Sequence, residues 1–197
     1  MTAISLQIGW PAPPFTAQAY DPARPSREPF RPISLTDYEG HWLVFFWYPA
    51  DFTHVCPTEI TALSDRLEEF EELDCAVLGA STDSVYSHQA WVGVPRDRNG
   101  IAGLRFPLLS DRTQAIAAEY GVLIASEGVA LRGLFVVDPD GDVQHATLNS
   151  LNVGRSVDET LRVLQAIQSG GLCPSDWKPG DRTLNSASSQ PTASSAR

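Results

Sequence analysis

Seven consecutive residues, Trp42-Leu43-Val44-Phe45-Phe46-Trp47-Tyr48, carry no charge and no glycine. A strand with one wet face alternates polar and apolar side chains; an unbroken apolar run of this length reads as a strand buried on both faces. Such a strand needs cover above and below, and helices crossing between parallel strands provide it. The flanking pattern agrees. A helix is expected over about 55–73, where Ile60, Leu63, Leu67 and Phe70 fall on one face. Cys75-Ala76-Val77-Leu78-Gly79-Ala80 reads as the next buried strand.

The rest of the chain continues the alternation. A helix is expected over 83–92 with Asp83 as its N-cap. Ser110-Asp111 opens another that stops at Gly121. Strands over 131–137 and 143–148 flank Asp138-Pro139-Asp140-Gly141, which is turn chemistry, so they form a hairpin. Ser156-Val157-Asp158-Glu159 is a capping box, and Leu161, Leu164 and Ile167 carry the apolar face of a last helix to Gly170. The expected class is α/β with a mixed central sheet flanked by helices.

Residues 1–32 hold seven prolines and read as a covering segment or a short edge element. The serine-rich end, over 179–197, reads as a disordered tail behind one domain of residues 1–178. A formal charge of −10 argues against nucleic acid or an anionic membrane as partner, since both select basic surface. The first residues lack the basic and apolar regions of a secretory signal, and no apolar run approaches the ~18 residues of a membrane span. A cytoplasmic location is expected, with thiols mostly reduced.

Three cysteines, Cys56, Cys75 and Cys173, lie far apart and include no Cys-x-x-Cys pair. Neither a secreted disulfide framework nor a zinc ribbon is indicated. Cys56 stands between the apolar strand and the helix, followed by Pro57, a residue favoured in a first helical turn. Helix N-termini favour the thiolate, which is the nucleophile. An unperturbed thiol near pKa ~8.5 is roughly 3% thiolate at pH 7, and one near 6 is roughly 90%. Thr53 could offer a hydroxyl to the sulfur or to a peroxide oxygen, and Pro49 could shield the sulfur from water. Position alone leaves two readings of Cys56: a reactive thiol, or a small buried hydrophobe. Cys75, in an apolar strand, reads as buried and inert. Cys173, in Gly170-Gly171-Leu172-Cys173-Pro174, is either incidental or a resolving thiol.

The segment Pro49-Ala50-Asp51-Phe52-Thr53-His54-Val55-Cys56-Pro57-Thr58-Glu59 resembles the active-site segment of typical two-cysteine peroxiredoxins, the AhpC/TSA family that includes the peroxidase component of bacterial alkyl hydroperoxide reductase. The likeness continues through Ser81-Thr82-Asp83-Ser84-Val85-Tyr86-Ser87-His88 with Trp91 and Phe106-Pro107-Leu108-Leu109-Ser110-Asp111. It extends to Arg132-Gly133-Leu134-Phe135-Val136-Val137-Asp138, Val153-Gly154-Arg155 and Cys173-Pro174. The resemblance implies a thioredoxin-like fold and a thiol peroxidase, with no metal or organic cofactor. Cys56 would be the peroxidatic thiolate and Arg132 its activating cation. Thr53 would bond the peroxide, Pro49 would close the pocket, and Glu59 with Arg155 would orient Arg132.

Cys173 matches the family's resolving cysteine. The implied product is an intersubunit Cys56–Cys173 disulfide in a homodimer, or in a decameric ring of dimers. Thioredoxin or a similar dithiol would recycle it by thiol–disulfide exchange. The implied substrates are hydrogen peroxide and organic hydroperoxides. A peroxide sensor or redox relay, and a holdase chaperone, are the alternative readings. His54 stands where the family usually carries an aromatic residue, and is expected to perturb the pH dependence of the pocket. Trp47 stands where phenylalanine is common. Asn99-Gly100-Ile101-Ala102 matches only weakly the glycine-rich loop of peroxide-sensitive members, and the tail lacks their tyrosine–phenylalanine helix. Resistance to overoxidation is therefore expected.

Overall fold

In the computed structural model, which describes residues 6–184, the apolar run is a central strand. The elements run β1 (Thr16–Tyr20), β2 (Phe30–Ser34), β3 (Trp42–Trp47), α1 (Cys56–Asp65), α2 (Leu67–Glu71), β4 (Cys75–Ser81), α3 (Val85–Val92) and β5 (Leu108–Ser110). There follow α4 (Ala115–Glu119), β6 (Leu123–Ile124), β7 (Val129–Ala130), β8 (Arg132–Val137), β9 (Val143–Asn149) and α5 (Val157–Gln168). Seven strands form one sheet in the order β2-β1-β5-β4-β3-β8-β9. β3 lies parallel to β4 and antiparallel to β8, so the sheet is mixed, as expected. Five of its six residues are buried, which is why the run tolerates no polar alternation.

The proline-rich start is less irregular than its composition suggests. β1 and β2 pair antiparallel along one edge of the sheet, where Pro32 costs no interior ladder bond. Ahead of them Ala12 and Phe15 are buried, and the Tyr120 hydroxyl donates to the Pro13 carbonyl at 3.0 Å. Edge strand and cover are thus both present.

Three expectations require correction. The helix over 55–73 is two helices, because Arg66 leaves helical geometry at φ −108°, ψ 18°. Ser84, not Asp83, caps α3: its side chain accepts from the Ser87 N–H. The Asp83 carboxylate is turned to other partners. The helix expected from Ser110 begins only at Ala115, and the Asp111 carboxylate accepts from the Ala117 N–H at 2.8 Å. Its end stands: Gly121 takes φ +68°, a left-handed turn that suits glycine.

The hairpin β8–β9 closes through residues 138–141, with Gly141 at φ +89°. Residues up to Val157 form one compact unit and residues from Asp158 a second. Within the second, a turn after Trp177 is closed by the Lys178 N–H on the Asp181 carboxylate, and the Leu184 N–H donates to Leu172 O. Of the tail expected to be disordered over 179–197, residues 179–184 are described; the rest, like the first five residues, lies outside the described residues.

Candidate active site

β3 delivers the chain to Pro49, which is buried, and α1 begins at Cys56. Val55 is the N-cap residue and Pro57 follows in the first turn, where its missing N–H leaves no helical bond unmade. Cys56 therefore sits at the positive end of the helix, and its exposure is 0%. Just upstream Phe52 is 55% exposed and holds φ +58°, a left-handed conformation that costs a non-glycine residue energy.

Antiparallel pairing of β8 with β3 sets Phe46 opposite Leu134. The start of β8 thus lies beside the end of β3, which is where Arg132 stands. Its Nη1 donates to Cys56 Sγ at 3.4 Å and to Glu59 Oε2 at 2.5 Å, and its Nε donates to Leu151 O at 2.8 Å. Glu59 is one helical turn from Cys56 on α1 and accepts on its other oxygen from Arg155, at 2.8 Å from N–H and 2.7 Å from Nε. Arg155 also donates to Gly133 O and lies 5.3 Å over the Phe46 ring. The chain beyond β9 carries it there, past Gly154, whose Cα faces Val55 and Glu59.

The Arg132 and Glu59 side chains are each 4% exposed and that of Arg155 is 6% exposed. Two guanidiniums and one carboxylate leave this buried cluster with one positive charge in excess. The Cys56 sulfur is the further group that the Arg132 guanidinium faces inside this cluster.

Cys56, Glu59, Arg132 and Arg155 are thus brought together. Thr53 is half-buried, and its hydroxyl donates to Ala50 O at 3.0 Å. Cys173 belongs to the second unit, where it is partly exposed, with Sγ 3.6 Å from Ala166 O and 3.4 Å from Ser169 Oγ. Cys75 is buried, and desolvation pushes its thiol up to about 12. That thiol is chemically quiet, as its strand position suggested. His54 is exposed, with its Nδ1 3.3 Å from Asn99 Nδ2. Among the described residues no group of three or more His, Cys, Asp or Glu side chains is arranged to hold a metal ion.

A family model described as AhpC/TSA matches residues 8–146. The chain belongs to the AhpC/TSA family. It is 52% identical over 179 residues to a putative peroxiredoxin, YkuU, of Bacillus subtilis, covering 90% of this chain and 97% of that one. It is 50% identical over 181 residues to peroxiredoxin-1 of Gallus gallus, covering 90% and 89%. The reduced 2-Cys peroxiredoxin of Plasmodium vivax superposes with a TM-score of 0.84 at 40% identity, over 89% of this chain and 91% of that one. The fold is that of the thioredoxin-like peroxiredoxins, and this AhpC/TSA member is a peroxiredoxin, a thiol peroxidase.

Proposed function

We propose that Cys56 reduces hydrogen peroxide and organic hydroperoxides, and that Cys173 of another protomer resolves the product. The observation that carries this reading is the Arg132 guanidinium donating to Cys56 Sγ inside a buried cluster one negative charge short. The thiolate pair attacks the distal oxygen of ROOH. A sulfur–oxygen bond forms, the O–O bond breaks, and the departing RO⁻ leaves as water or alcohol after taking a proton. Arg132 faces both the attacking sulfur and the developing negative charge. Thr53 bonds the peroxide, and Pro49 walls the pocket.

Cys56 is then a sulfenic acid. The Cys173 sulfur displaces its hydroxyl, giving the Cys56–Cys173 disulfide and water. Thioredoxin or another dithiol returns both thiols. This chemistry requires a homodimer, and a decameric ring of dimers is its larger form. Two features support such assembly. β9 lies at the sheet edge opposite β2, and an open strand edge is a template for pairing. Phe52 and Tyr86 are exposed by 55% and 71%, aromatic side chains that an interface would cover. We place the protein in the cytoplasm, in antioxidant defence, and expect it to resist overoxidation.

The test is peroxide turnover with thioredoxin and its reductase, followed by non-reducing electrophoresis. Wild type turns over and gives a disulfide-linked dimer. Cys56→Ser is inactive, and Cys173→Ser forms the sulfenic acid without the dimer. An unchanged cycle in Cys173→Ser refutes its assignment.

A further inference from the structure

A second buried polar network lies on the other side of the active-site segment, and the peroxide chemistry leaves it unused. His88 on α3 has 0% exposure. Its Nδ1 faces Asp51 Oδ2 at 2.9 Å and its Nε2 faces Leu109 O at 3.3 Å. The Tyr48 hydroxyl also stands 3.3 Å from Nδ1. The Tyr48 hydroxyl donates to the other Asp51 oxygen at 2.9 Å. Burial, with Asp51 beside it, raises Tyr48 well above its ordinary value, so it remains a donor.

Asp83 completes the network. Its Oδ2 accepts from Ser81 Oγ at 2.8 Å and from the Asp51 N–H at 2.9 Å. The Asp51 N–H and the Ala50 carbonyl are two ends of one planar peptide group. The carbonyl end accepts the Thr53 hydroxyl proton at 3.0 Å. One rigid plane therefore links the half-buried Asp83 carboxylate on one side to the Thr53 hydroxyl on the other. A hydroxyl has one proton and two lone pairs. With its proton committed to Ala50, Thr53 has only acceptor sites left for a ligand.

We propose that Asp83 and His88 are positioning residues for the peroxide step: they clamp the Ala50–Asp51 peptide so that Thr53 meets substrate as an acceptor. This rests on the role given to Thr53 in the proposed function, and deepens it. The substrate must then bring an O–H to Thr53, as hydroperoxides do and dialkyl peroxides do not. Asp83 acts on the N–H end of the peptide. His88 acts on the Asp51 side chain, which fixes the same residue from its other end.

The test compares two reactions of Cys56 in the full-length reduced protein: oxidation by hydrogen peroxide, followed by stopped flow, and alkylation by iodoacetamide. Alkylation uses the thiolate but has no O–H for Thr53 to accept. Asp83→Ala and His88→Gln are expected to slow oxidation by roughly 10- to 100-fold, the scale on which small misplacements act, and to leave alkylation unchanged. Asp83→Asn keeps an acceptor oxygen and restores most of the rate. In a Thr53→Val background Asp83→Ala has no further effect, because the group it positions is gone. Equal slowing of both reactions, or a full additional loss in Thr53→Val, overturns the positioning role while Thr53's own role stands. An undiminished oxidation rate in Thr53→Val alone removes Thr53 from the mechanism and the proposal with it. Should His88→Gln not fold, the two Asp83 variants decide the matter.

Discussion

Glu59→Gln removes the only negative charge that the protein itself fixes in the cluster and keeps the side chain's shape. Three N–H groups, one from Arg132 and two from Arg155, converge on the two carboxylate oxygens. Glutamine offers one oxygen to them and turns an amide NH₂ against a guanidinium. Breaking a buried pair by removing one partner costs about 3–5 kcal/mol, because the other charge stays buried without compensation. At 1.4 kcal/mol per decade, the folded-to-unfolded ratio falls roughly a hundredfold to several thousandfold. Urea unfolding at fixed protein concentration reads this as a lower midpoint with an unchanged slope. Pairing the change with Arg155→Met is expected to recover part of the loss, since one of the two buried guanidiniums left without compensation is then removed. The reasoning fails if Glu59→Gln costs under ~1 kcal/mol, the worth of an exposed pair, or if the double variant loses the full sum.

Other perturbations test other parts. Arg132→Lys keeps the charge but cannot reach Cys56, Glu59 and Leu151 at once; a loss of about 10²–10³ in peroxide rate is expected by stopped flow, the scale of one preorganised donor. Between the ordinary thiol range, about 8.5–9, and about 12, the unfolded chain gives up the Cys75 proton while the folded chain holds it. Stability therefore falls as pH rises through that window, with roughly 4 kcal/mol from this group by its upper end. Cys75→Ala should flatten that decline in denaturation measured from pH 8 upward, and native Cys75 should resist iodoacetamide. His54→Phe is expected to change the dependence of peroxide rate on pH; superimposable profiles would remove His54 from the pocket's pH response.

Local pattern makes much of the architecture legible. The apolar run over 42–48, the β3–α1–β4 unit and the β8–β9 hairpin each follow from hydrophobic period and turn residues, which depend on neighbours in sequence. The failures have the same origin. Nothing in the spacing of Leu63, Leu67 and Phe70 signals that Arg66 breaks the helix, because the apolar face continues across the break. Asp83 has good capping chemistry, but a tertiary demand wins: its carboxylate holds the Asp51 N–H, and Ser84 caps instead. The site divides in the same way. Cys56 at a helix start can be read locally. Arg132 and Arg155 bond a glutamate 73 and 96 positions away, a pairing created by antiparallel strands and invisible to periodicity. Only family resemblance draws those two from the background of surface arginines. His88 sits within a family-like stretch that assigns it no task, since its partner Asp51 is 37 positions distant.

The complete enclosure of Cys56 sorts its reactants by girth before reactivity sorts them. Two sulfur atoms bond at about 2.05 Å, so the thiol of another protein needs contact with a sulfur that this protomer encloses. A molecule of two oxygens and a short tail requires far less room. The proposed resolution by Cys173 therefore asks for a movement that the peroxide step does not. Phe52, exposed in a backbone conformation it does not favour, stands beside that enclosure.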